Sequence, residues 1–197
     1  MPWEKTFDLD EATDKAAAVF WSKGYEATSI ADLVAAMGVH KGSLYNAFGD
    51  KRSLFLRALE RYNAAGRRVW MAELEATKSP TAAILAFFDR IVEQSAGDCD
   101  AKGCFIVNTA LEMPHQTPEV KVMITDSLSE IEGFFHRMIE RGQSSGSIPD
   151  DRDPIAVSKA LLAMMMGMRV LSRTGVDEAA LSAIRDQAMT LIVPSPK

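Results

Sequence analysis

The stretch SIADLVAAMGVHKGSLYNAF, from Ser29 to Phe48, leaves the chain few ways to fold. Ile30, Leu33, Val34 and Met37 recur at helical spacing, Gly38 interrupts them, and Leu44, Ala47 and Phe48 resume the stripe. Ser29 followed three residues later by Asp32 reads as a capping box, in which the hydroxyl covers an orphan amide and the carboxylate reaches back. Gly38 falls where the first helix must end with a positive φ, which glycine adopts without a Cβ penalty. Val39 and Leu44 then fold a second helix back onto Leu33 and Met37, leaving His40, Lys41, Ser43, Tyr45 and Asn46 outward. Two short helices across a glycine turn form a helix-turn-helix, although the same pattern also suits a plain helical hairpin.

A chain of 197 residues accommodates one mid-sized domain, or a small module joined to a larger one. Its 47% hydrophobic content suits a full core. No apolar run approaches the roughly 20 residues of a membrane span; the longest, Ala160 to Met168, contains Gly167 and stops at Arg169. The opening MPWEKTFDLDEA is acidic and lacks the basic and apolar regions of a signal peptide. Cys99 and Cys104 are the only cysteines and do not suggest a disulfide framework. A soluble, cytoplasmic protein with reduced thiols and no membrane partner is expected. The net charge of −5 argues against indiscriminate nucleic-acid binding. It is compatible with a focused site, because salt confines the useful field to about 10 Å. From His40 to Arg57 the fixed charges are Lys41, Lys51, Arg52 and Arg57 against Asp50 alone, so a basic patch falls on the motif.

The rest of the chain reads as helices. A first helix from about Asp8 to Lys23 carries the stripe Leu9, Ala12, Ala16, Val19 and Phe20 and ends at Gly24. These three helices make a bundle of about 48 residues, too small to be comfortable alone. Gly49-Asp50 stops the motif and caps a long proline-free helix, Lys51 to Thr77, with Leu54, Phe55, Ala58, Leu59, Tyr62, Ala65, Val69 and Leu74 inward as a stiff connector. Ser79-Pro80 opens a helix that stops near Ala96-Gly97, and a shorter one from Lys102 to Glu112 is closed by Pro114. Thr117-Pro118 opens another that runs to about Ser145. Asp153-Pro154 opens the eighth, apolar nearly all round from Ala160 to Leu171, and Asp177 caps the ninth. No β-alternating run occurs. The expected fold is all-α with about nine helices: a helix-turn-helix module over residues 1–50, then a larger helical ligand-binding and dimerisation domain over residues 51–197.

Phe20, Gly24-Tyr25, Thr28-Ser29-Ile30, Leu33, Met37-Gly38-Val39, Lys41-Gly42-Ser43-Leu44-Tyr45, Phe48, Lys51 and Leu54-Phe55 together resemble the signature of TetR-family transcriptional regulators, without a gap. The six helices that follow, with their apolar final pair, are similar to that family's ligand-binding and dimerisation domain. The segment GCFIVNTALE resembles a motif in a branch that includes electrophile-sensing and metal-responsive repressors. The resemblance implies a homodimer on a palindromic DNA operator, most often a repressor, released by a small-molecule effector in the C-terminal domain. Carried over, Ser29 contacts phosphate at the helix cap; Lys41, Gly42, Ser43, Tyr45 and Asn46, with His40 before them, face the groove; and Lys51 holds the DNA backbone. Two departures stand out: Asn46-Ala47 replaces an aromatic residue and a histidine found in many members, and the segment before the first helix offers only Lys5 in place of a basic arm. Chemistry agrees with these roles. Gly42 on an exposed helix face costs about 1 kcal/mol relative to alanine, which suits a close approach of DNA. Asn46 matches the adenine edge, and Lys41 can donate to guanine O6 and N7.

In the larger domain Trp70, Phe87, Phe88, Phe105, Phe134 and Phe135 suggest the lining of a pocket for an apolar or aromatic molecule, with Asn108, Thr109 and Glu112 as polar anchors. Cys104, Asn108 and Glu112 are four apart and share one helix face. They are either a small buried thiol with polar neighbours satisfied by adjacent helices, or the lining of an effector cavity. A thiol or metal trigger at Cys104 is the alternative to non-covalent binding. His40, His115 and His136 with the two cysteines match no ligand spacing, so neither metal nor cofactor is expected. No nucleophile–base pair, phosphate loop or HExxH spacing points to an enzyme. A helical interaction module without DNA binding is the remaining alternative. The eighth helix, apolar on all faces, needs partners on all faces. Leu161, Met165 and Met168 with Leu181, Ile184, Ala188 and Leu191 of the ninth are the expected seam of a two-chain four-helix bundle.

Overall fold

The structure is a computed structural model that describes residues 7–97, 102–112 and 115–193. Lys5, Cys99 and Pro114 lie outside the described residues.

Helix α1 (Leu9–Lys23) starts on Asp8, whose carboxylate accepts from the amides of Asp10 and Glu11 at 2.7 and 3.1 Å. Helices α2 (Ile30–Met37) and α3 (Lys41–Phe48) flank Gly38, which ends α2 at φ 69° as the spacing requires. Both halves of the capping box form: the Ser29 hydroxyl accepts from the Asp32 amide and the Asp32 carboxylate accepts from the Ser29 amide. Leu33, Met37, Leu44 and Phe48 turn inward and lock the two helices together. Asp50 caps α4 (Lys51–Tyr62) by accepting from the Ser53 amide. The acidic residues of α1 meet this helix: Arg57 pairs with Asp10, and Arg61 with Asp10 and Asp14.

The long connector is not an uninterrupted α-helix. A π-helical turn over Asn63–Arg68 separates α4 from α5 (Val69–Thr77). A π turn holds about one residue more than an α turn, so every later residue advances on the helix surface. Val69, expected inward, is therefore 64% exposed, and Trp70, Met71 and Leu74 take the inward face.

Helices α6 (Pro80–Gly97), α7 (Phe105–Leu111), α8 (Pro118–Ser144), α9 (Pro154–Leu171) and α10 (Glu178–Thr190) complete the chain, with a 3₁₀ turn at Ser172–Thr174. No strand occurs among the described residues, and the fold is all-α. Helix α7 is shorter than its expected Lys102–Glu112 span. Gly103 sits at φ 65°, where a Cβ would also meet Arg173 and the Arg169 carbonyl, so Cys104 becomes the N-cap.

Two apolar cores result. One gathers Phe87, Phe88, Phe134 and Phe135 from α6 and α8, with ring centroids 4.9 Å apart for Phe87–Phe135. The other is the helix-turn-helix core, completed by Leu54, Phe55 and Leu59 of α4, by Phe105 and Ile106 of α7, and by Val120 and Ile124 of α8. This answers the size problem of the small bundle: its missing wall comes from helices later in the chain.

Much of the expected dimer seam is already used within the single chain. Leu161, Met165 and Met168 of α9 and Leu181 and Ala188 of α10 are buried inside the single chain, because α9 and α10 must close the core over α6 and α8. Ile184 and Leu191 remain partly exposed. The segment Pro154–Thr174 is also long and apolar enough to cross a membrane by length and composition, at a mean hydropathy of 1.5, despite Gly167 and Arg169. Here it packs on α8, α6 and α10.

Candidate functional site

Helix α3 projects from the globule on the strength of two buried side chains, Leu44 and Phe48. His40, Lys41, Gly42, Tyr45 and Asn46 are exposed and Ser43 is partly so. Among the described residues, the side chains of His40, Ser43 and Asn46 make no hydrogen bond within the chain. No acidic residue occupies the first turn, so the positive end of the helix dipole is uncompensated. A Cβ at Gly42 would meet nothing within 4 Å, so space inside the chain does not require this glycine.

Lys51, at the start of α4, is held in place: its Nζ lies 4.4 Å over the Tyr25 ring, which itself packs on Phe20 and Phe55. Ser29 is exposed, but its hydroxyl donates to Asp32 at 2.7 Å, so the cap already engages the donor expected to meet phosphate. The cation beside this cap is Lys23, whose Nζ lies 2.6 Å from Asp32. Sequence reasoning passed over Lys23; its place in the last turn of α1 was the available signal. The hydrogen bond from Lys23, followed by those from Ser29, holds the Asp32 carboxyl well below the usual carboxylate range.

The second feature is a cavity of about 810 Å³ between the two cores. Trp21 of α1, Tyr62 of α4, Trp70 of α5, Phe87 of α6, Ile131 of α8 and Met165 of α9 contribute its apolar walls. Of the expected ligand-binding residues, Trp70, Phe87 and Cys104 are here. Phe88, Phe134 and Phe135 are fully buried in the packed core behind it. Phe105 instead joins the helix-turn-helix core, against Phe55 and Tyr62. Asn108, Thr109 and Glu112 line a separate small recess of about 60 Å³ beside Gly24 and Tyr25. The shared face of Cys104, Asn108 and Glu112 is thus divided, because α7 runs from the large cavity toward the α1–α2 loop. Tyr62, Trp21, Arg90 and Arg169 were missed as lining residues; Arg169, ending an apolar run, was the legible hint.

The cavity edge is tied to α1. The Lys102 carbonyl accepts from Trp21 Nε1 at 3.0 Å and from Asn108 Nδ2 at 2.8 Å. Tyr62 Oη lies 3.8 Å from Cys104 Sγ, and burial pushes its phenol far above the usual range.

Residues 12–58 match the family described as bacterial regulatory proteins, tetR family, and residues 80–188 match the tetracyclin repressor-like C-terminal domain. The chain is 30% identical over 188 residues to the HTH-type transcriptional repressor ComR of Escherichia coli (strain K12), covering 95% of this chain and 90% of ComR. It is 29% identical over 189 residues to the HTH-type transcriptional regulator YezE of Bacillus subtilis (strain 168), covering 95% and 97%. Among solved structures, a cysteine mutant of the TetR family transcriptional regulator CifR, complexed with 26-base-pair double-strand operator DNA, superposes with a TM-score of 0.83 at 29% identity, covering 94% and 97%. On the helix-turn-helix geometry and these matches over both its parts, the chain belongs to the TetR family of DNA-binding transcriptional regulators, which are not enzymes.

Proposed function

We propose that the protein is a homodimeric repressor that binds a palindromic operator in the cytoplasm and leaves it when a small molecule fills the 810 Å³ cavity. One observation carries the switch: the cavity is walled by α1 and α4 of the DNA-binding part as well as by helices of the larger part. An occupant touching both can favour one relative placement over another, and only such differential contact shifts an equilibrium. From the wall, Tyr62 packs on Phe105, Phe105 on Phe55, and Phe55 on Tyr25, over which Lys51 sits. Movement of α4 against α1 therefore changes the spacing of the two recognition helices. The repressor assignment follows ComR, and the operator follows CifR, whose solved complex contains one.

On this reading α3 lies in the major groove, with His40, Lys41, Gly42, Ser43, Tyr45 and Asn46 toward the bases and Lys51 on the backbone. Ser29 approaches phosphate through the same edge as Lys23. The dimer forms through the outer face of α9, since only 28% of its most apolar stretch is buried in the single chain. Ala163 and Gly167 are exposed there, and Ile184 of α10 and Leu191 just after it are partly exposed. Cys104 supports a second reading, a thiol trigger, because it lies partly exposed on the same cavity.

The test is binding to a fragment from upstream of the protein's own gene. Lys41→Ala should weaken specific binding by about 1–3 kcal/mol. Lys51→Ala should weaken all sequences alike and flatten the salt dependence. Parent-like binding by both variants would remove α3 and α4 from the interface.

A further inference from the structure

The charges on the cavity are unlike those of the chain. The protein carries a net charge of −5, yet among the described residues the lining holds Arg61, Arg67, Arg90, Lys102 and Arg169 against Asp14 alone. Arg61 pairs with Asp10 and Asp14, and Arg67 with Glu130 at 2.7 Å. Arg90 and Arg169 have no carboxylate partner among the described residues. Arg90 lies over the Trp70 ring, with Cζ 4.3 Å from its centroid. Arg169 donates to the neutral amide of Gln94 at 2.8 Å. Gln94 is one turn beyond Arg90 on α6, so the two guanidiniums occupy the same side of the cavity. The Arg169 charge also reaches inward: burial raises the Tyr62 phenol, and Arg169 partly opposes that rise.

Two partly exposed guanidiniums without a carboxylate partner among the described residues stand beside Trp70, Phe87, Ile131 and Met165, where an anion would gain charge-assisted hydrogen bonds from both. A polyanion does not suit the apolar wall, and an uncharged molecule leaves the arginines unmatched. Resting on the effector reading above, we infer that the cavity takes an organic monoanion, an aromatic or alicyclic body bearing one carboxylate or sulfonate, with its charge between Arg90 and Arg169 and its body on Trp70 and Phe87. This class adds a charge to the apolar or aromatic molecule expected from the aromatic content, because the arginines come from α6 and α9, whose approach is set by the fold.

The test uses two fluorescent probes with one body, 8-anilinonaphthalene-1-sulfonate and its uncharged parent N-phenyl-1-naphthylamine, titrated into the full-length protein. The sulfonate should bind at least about tenfold more tightly, as charge-assisted hydrogen bonds predict. Arg90→Met or Arg169→Met should remove most of that advantage while N-phenyl-1-naphthylamine binds as before. Arg90→Lys and Arg169→Lys should restore part of it, and circular dichroism checks that each variant is folded. Equal affinity for the two probes overturns the proposal. So does a sulfonate advantage indifferent to both arginines, which would place the probe elsewhere, such as the uncovered face of α9. Operator binding is measured in parallel without probe. Its absence in the parent sinks the regulator reading, while the probe ratio still decides the ligand class.

Discussion

Asp32 shows how much one side chain organises in the DNA-binding part. It closes the capping box with Ser29 and bridges to Lys23, so it ties the start of α2 to the end of α1. Its folded pKa is depressed, first by the Lys23 hydrogen bond and then by those from Ser29. The stability it contributes is therefore fully present above the unfolded pKa of about 3.9. It is lost as pH falls through the lower folded value. Thermal unfolding followed by circular dichroism between about pH 3 and 7 should show the parent midpoint falling more steeply below pH 4 than that of Asp32→Asn. Parallel curves would mean the bridge contributes nothing to folding. Arg57 and Arg61 act alike on the other side of α1, but their pairs are more exposed, and each is worth little by itself.

Among the elements, the π turn between α4 and α5 has the widest effect. It places Asn63 fully inside, where Nδ2 donates to Ser127 Oγ at 2.8 Å and Oδ1 accepts from Arg67 Nε. Arg67 and Arg68 then converge on Glu130 of α8. Burial alone would raise the Glu130 carboxyl, but hydrogen bonds from Arg68 and Arg67 outweigh it and hold it below the usual range. This network fastens the connector to α8 while leaving Gly66 and Arg67 on the cavity. Asn63→Ala should lower stability in urea unfolding by about 1–3 kcal/mol, because it strands buried partners. A loss below about 0.5 kcal/mol would show that the turn is held by apolar packing instead.

For the whole molecule, on the dimer proposed above, the two faces of α9 separate folding from assembly. One face, with Leu161, Met165 and Met168, belongs to the subunit core together with Leu181 of α10. The opposite face, with Ala163 and Gly167, is uncovered in the single chain. Leu181→Asp places a charge in that core and should unfold the subunit, at a cost above about 4 kcal/mol. Ala163→Arg adds bulk and charge only to the outer face and should give a folded monomer with weakened operator binding. Sedimentation with circular dichroism distinguishes the two; a folded, dimeric Ala163→Arg protein would move the interface away from α9.

Read from its sequence, this chain is legible wherever the decisive interactions are local. The capping box, the positive φ at Gly38, the Asp50, Asp153 and Asp177 caps, and the helical stripes each depend on residues within about one turn of one another. The all-α class and the exposed second helix of the helix-turn-helix follow from these. What only the tertiary structure decided depends on contacts across the chain. Periodicity placed Val69 inward because it counts 3.6 residues per turn, whereas Asn63 and Arg67, bonded to α8, lengthen one turn. The aromatic residues were all apolar enough to line a pocket. Phe88, Phe134 and Phe135 were consumed by packing, and only Trp70 and Phe87 reached the cavity. Leu181 and Ala188 look like an interface in one dimension because a seam reads the same whether its partner is the same chain or another. Which partner it meets is settled by how α6, α8 and α9 close around it, through distances in space that spacing along the chain does not encode.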